Sequence, residues 1–221
     1  MTRALTYKEF RETLGVVAIG LVALLLIPAS SSGHSPAPNL WQEQSGRIPF
    51  VSDSFNSRLG MVAFAFAAAL GFWQATRDFR GDAQLFLLQR PVSRSRVYAV
   101  KLAVGLVAYL ACVGVSILAY AAWAAAPGNH ASPFTWSMTA PAWMIWLSMS
   151  AVYFGAVLSG IRPAAWLGTR LAPVAAAGAV VFLAFLTSES LSYAAAAGLI
   201  ALADLALAAC VGFVVRERDF A

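Results

Sequence analysis

Six apolar runs constrain this chain more than any other feature, since a helix needs ~20 such residues to cross a bilayer and these run from roughly that length to well beyond it. They fall at about residues 13–29, 59–76, 97–126, 139–160, 171–186 and 192–215. A soluble domain of 221 residues has no need of such runs, and a composition 60% hydrophobic and 11% charged fits a membrane protein instead. The expected fold class is therefore an all-α membrane protein. It has six transmembrane helices in a single membrane domain over 1–221, an N-terminal interfacial helix, and a short cytoplasmic helix between spans two and three.

The basic residues test that layout, because Lys and Arg accumulate on the cytoplasmic side of membrane proteins. Three stand at the start (Arg3, Lys8, Arg11), six between Arg77 and Lys101, two before span five (Arg162, Arg170) and two at the end (Arg216, Arg218). These make 13 of the 15, and only Arg47 and Arg58 fall on the other side. The expected topology places both termini in the cytoplasm. The net charge of +5 then reads as membrane topology rather than as a nucleic-acid footprint.

The densest charge lies in Arg77 to Lys101, RDFRGDAQLFLLQRPVSRSRVYAVK, which must sit in water between two spans. Asp78 to Gln89 can make about three helical turns, with Phe79, Ala83, Phe86 and Leu87 on one side and Asp78, Asp82 and Gln89 on another. Pro91 stops that helix, and Ser93 or Ser95 can cap the next one. On charge alone this is any basic cytoplasmic loop with an amphipathic helix. The order of residues is more specific. Asp78, Gly81, Leu87, Leu88, Arg90, Pro91, Ser93, Arg94 and Lys101 resemble a motif of the permease subunits of type-two ATP-binding-cassette exporters. The opening YKEFRET (7–13) and the closing RERDF (216–220) resemble that family's ends.

The resemblance implies that Asp78, Phe79, Gly81, Asp82, Phe86, Leu87 and Leu88 form a coupling helix that docks on a separate ATPase subunit. It implies a permease domain of the cytoplasmic (inner) membrane, paired with a second copy or homologue, that exports a substrate. ATP and Mg would sit on the partner ATPase, and this chain would hold no cofactor. The sequence has no GxxxxGK[ST] loop of its own. It departs from the family where re-entrant helices commonly precede the last span, since only about Thr187 to Leu191 is available there.

Within span three, Tyr109, Cys112, Ser116, Tyr120 and Trp123 recur at steps of three and four and share one face. Tyr109, Cys112, Ser116 and Tyr120, with Asp204 of span six, are candidates for a translocation face; a helix-packing seam explains the same stripe. Met1 to Glu12 reads as an interfacial helix, and a cleaved signal peptide is the competing reading. Cys112 and Cys210 lie in apolar runs, as packing thiols do.

Catalytic chemistry is missing from the sequence. His34 and His130 are the only histidines, both in loops, and there is no HExxH, no GxSxG and no cluster of metal ligands. The chain is expected not to be an enzyme, with no catalytic residue and no metal. An ion- or proton-coupled carrier is the alternative, since carriers place ionisable groups at membrane depth, as Asp204 is placed. In a background lacking Cys112 and Cys210, single cysteines at Ser45 and Ser132 are expected to react with an impermeant thiol reagent from outside. One at Ser93 is expected to be protected in sealed right-side-out vesicles, and strong labelling there contradicts the topology.

Overall fold

The segment Ala140–Ile161 has no charged side chain and is apolar on every side, and a helix of that kind has to be enclosed by others. The computed structural model describes residues 2–32, 48–77, 94–129, 133–162, 166–190 and 192–217. They form six long helices: α1 (Thr2–Ser31), α2 (Phe55–Arg77), α3 (Arg94–Ala125), α4 (Ala140–Ile161), α5 (Leu167–Ser190) and α6 (Tyr193–Glu217). One 3-10 turn, Trp136–Thr139, leads into α4, and there is no strand among the described residues. All six helices are long and apolar enough to cross a membrane. The chain is an all-helical, multi-pass membrane protein.

The α4 helix is the hub. In it 89% of the most apolar stretch is buried, against 22% for α5 and 17% for α6. Helices α2, α3, α5 and α6 all pack on α4, while α1 packs on α3 and α2. Ser148, Ser150, Ala151, Gly155, Ala156, Ser159 and Gly160 keep the α4 surface low, so neighbours approach on all sides. A close approach uses Gly71 of α2. A Cβ there would stand 2.6 Å from the Tyr153 carbonyl oxygen and 2.7 Å from the Ala156 Cβ.

Reciprocal bonds tie α3 to α4: Tyr109 OH donates to the Trp146 carbonyl at 3.0 Å, and Trp146 Nε1 donates to the Leu110 carbonyl at 2.8 Å. At the end holding the N-termini of α2 and α4, residues 48–54 fold inward. There Phe50 is buried against Phe55 and Tyr120 with a backbone φ of 63°. Non-glycine residues rarely take that conformation. The Asn56 side-chain amide donates to the Phe50 carbonyl at 2.7 Å and holds the turn in place.

Several boundaries differ from the sequence expectation. The charged opening and span one form one continuous 30-residue helix, with no break for a separate interfacial helix. No glycine or proline falls between Thr2 and Leu14, so the hydrogen-bond ladder runs on. Helix α5 likewise continues past the apolar run to Ser190, leaving residues 191–192 as the connection to α6. The expected coupling helix, Asp78 to Gln89, lies outside the described residues.

Gly71→Val is expected to destabilise the protein by about 1–3 kcal/mol, the usual cost of overpacking. Gly178, whose Cβ would meet nothing within 4 Å, should accept alanine without loss. Thermal unfolding in detergent micelles checks both, and equal effects at the two positions contradict the close α2–α4 contact.

Candidate functional site

Charged side chains inside a membrane bundle are rare, so a buried pair marks a place of interest. Lys101 Nζ of α3 lies 3.9 Å from Glu9 Oε2 of α1, and the two side chains are 4% and 3% exposed. Beside them Tyr153 OH of α4 donates to Gln74 Oε1 of α2 at 2.7 Å, with the Leu102 carbonyl as a second acceptor at 3.2 Å. Gln74 Nε2 faces the Lys101 carbonyl at 3.4 Å. Four helices thus meet in one polar cluster. Gly105 makes room for it, since a Cβ there would collide with both Gln74 Oε1 and the Tyr153 hydroxyl.

A second, more exposed set surrounds the cluster. Glu12 lies 3.9 Å from Arg77 and 3.8 Å from Lys8, and its carbonyl accepts from Arg77 Nη1 at 2.9 Å and from Trp73 Nε1 at 3.3 Å. Arg77 closes α2 and Arg94 opens α3, so the segment 78–93 leaves and rejoins the bundle at this end. The Arg77 and Lys101 side chains flank that segment, and both are held by acids of α1. The arrangement is electrostatic and positional: it fixes the start of α1 against both ends of the charged loop. Buried pairs stabilise little on balance, because desolvation offsets their attraction; losing one partner is what costs heavily.

The expected translocation residues are distributed differently. Tyr109, Cys112, Ser116 and Tyr120 are all buried on α3. Tyr109 bonds to α4, Ser116 Oγ donates to the Leu24 carbonyl of α1 at 2.8 Å, and Tyr120 OH donates to Asp53 Oδ2 at 2.5 Å. Each polar group therefore turns toward a different neighbour within the chain's own packing. On α6, Asp204 Oδ2 accepts from Ser150 Oγ of α4 at 2.5 Å, while Oδ1 is buried without a hydrogen-bond partner among the described residues. Asp78, Phe79, Gly81, Asp82, Phe86, Leu87 and Leu88 lie outside the described residues, as do His34 and His130. Among the described residues no group of three or more His, Cys, Asp or Glu is placed to hold a metal.

Sequence reasoning missed Glu9, Gln74 and Tyr153 as a unit with Lys101. A signal was present in Lys101, which falls inside the third apolar run and needs a partner at that depth. Lys101→Met is expected to cost about 3–5 kcal/mol by removing the buried cation that faces Glu9. The double change Glu9→Leu with Lys101→Met should recover most of that loss. Unfolding midpoints of the three variants check this, and additive losses contradict the pairing.

No protein-family model, curated protein or solved structure matches this chain.

Proposed function

We propose that this chain is the membrane-spanning permease subunit of an ATP-binding-cassette exporter, driven by ATP hydrolysis on a separate ATPase subunit. The observation that carries the reading is the charged segment Arg77 to Lys101 between two spans, with its Asp-x-x-Gly, Leu-Leu and Arg-Pro-x-Ser-Arg order. The anchoring of its flanks supports it. Arg77 and Lys101 bind acids of α1, so a push on the loop is passed to three helices at once. In this reading both termini and the loop are cytoplasmic, the chain resides in the cytoplasmic membrane, and two permeases pair around the path. Asp78 to Gln89 is the contact with the ATPase, with Phe86 and Leu87 on its apolar side.

A carrier driven by an ion or proton gradient has one observation in its favour, the Asp204 carboxylate within the membrane with one oxygen unpartnered among the described residues. The two readings differ in what accompanies the chain. Purified in mild detergent, an exporter permease brings an ATPase with it, and a carrier does not. Phe86→Asp with Leu87→Asp puts charge into an apolar contact, where unpaired burial is costly. ATPase association should fall by at least tenfold while membrane insertion is retained. Undiminished association contradicts the coupling role of this segment. Asp204→Asn should leave ATP-driven turnover near its starting level, since the Ser150 hydrogen bond survives; abolished transport with no ATPase present supports the carrier.

A further inference from the structure

A groove of about 810 Å³ runs along the outside of the bundle between α1 and α3. Arg3, Tyr7, Phe10 and Val17 line it from α1, and Val104 and Cys112 from α3. Arg3 is the one charged residue among those that line it, and no described carboxylate lies within ion-pair distance of its exposed guanidinium. The rest of the lining is almost entirely apolar. Tyr7 and Val107 are 69% and 64% exposed, so the groove opens outward rather than toward the core. Both walls are helices long and apolar enough to cross a membrane.

The dimensions match one lipid chain. From Val100 to Cys112, the groove's wall on α3 within the third apolar run, the rise is about 18 Å at 1.5 Å per residue. One leaflet's share of the hydrocarbon layer is about 15 Å, and the remainder reaches the headgroup region where a basic side chain belongs. A cation at one end of an apolar trough is complementary to a phosphate carrying an acyl chain. A second copy of this chain fits less well. A two-fold contact would set groove against groove, leaving unfilled volume, and would bring each Arg3 to the same depth as its equivalent.

We infer that the groove between α1 and α3 holds one acyl chain of an anionic phospholipid, whose phosphate is met by Arg3. The inference goes beyond the permease reading and needs only the six spans, so either can fail without the other. The bound lipid covers the outer side of the α1–α3 seam, on whose inner side Glu9 meets Lys101.

The test is native mass spectrometry of the full chain released from nanodiscs containing equal phosphatidylglycerol and phosphatidylcholine. Phosphatidylglycerol should be retained about fivefold over phosphatidylcholine, the ratio expected of one basic residue near an anionic lipid. Arg3→Gln should bring the ratio to parity, and Ala103→Trp, which fills the groove from an exposed position, should remove both lipids. Arg162→Gln, an exposed arginine elsewhere, should change nothing. Millimolar inorganic phosphate should displace no lipid. Parity in the unaltered protein, an unchanged ratio in Arg3→Gln, or displacement by phosphate overturns the inference. So does efficient disulfide crosslinking between two copies carrying cysteine at Val107, which would show the groove covered by a second chain.

Discussion

Everything in this bundle depends on the enclosure of α4. Hydrocarbon supplies no partner for a polar group, and it gives no hydrophobic drive between helices that are each as apolar as lipid. What remains is close contact, and α4 provides it through serine, glycine and alanine on its whole circumference. The four helices that pack on it are positioned by that surface. Two of its hydroxyls reach neighbours: Ser150 meets Asp204 of α6 and Tyr153 meets Gln74 of α2. The periphery is looser. Most of α5 and α6 faces outward, with Phe182, Leu202, Leu205 and Phe213 turned to the surroundings.

Charge is concentrated where α1 meets α2 and α3. Helix α1 does not share the α4 hub, and its attachment combines apolar packing with polar contacts to α2 and α3. Glu9 to Lys101, Glu12 to Arg77 and the Leu24 carbonyl to Ser116 hold it along its length. The first two stand at the end where the chain between α2 and α3 departs. In the proposed permease this end receives force from the ATPase, and one buried ion pair with a more exposed one beside it makes it a stiff receiver.

Much of the fold was legible in the sequence because transmembrane runs are long and carry strong signals. All six spans are present, and the differences are extensions: α1 absorbs the charged opening, and α5 continues to Ser190. Hydropathy marks where hydrocarbon ends, whereas a helix ends where its hydrogen-bond ladder is broken, and the two need not coincide. The site was less legible. The α3 stripe of Tyr109, Cys112, Ser116 and Tyr120 is visible as periodicity, but periodicity alone does not say which helix each residue meets. Gln74 and Tyr153 belong to different spans and carry no shared spacing, so their meeting needs the packing of α2 on α4. Lys101 was counted with the charged loop, yet its depth in α3 places it beside Glu9.

The central claim is that the ion-paired ends of α1, α2 and α3 move as one body relative to α6 when nucleotide binds the proposed ATPase. The direct measurement is electron–electron distance between spin labels in proteoliposomes holding this chain with the ATPase it retains. One pair, at Tyr7 and Arg96, lies within the body formed by α1 and α3; the other, at Arg96 and Arg216, spans from α3 to α6. On adding ATP, the account predicts an unchanged Tyr7–Arg96 distance and a shifted Arg96–Arg216 distance. A fixed Arg96–Arg216 distance in both nucleotide states, or separation of Tyr7 from Arg96, contradicts it.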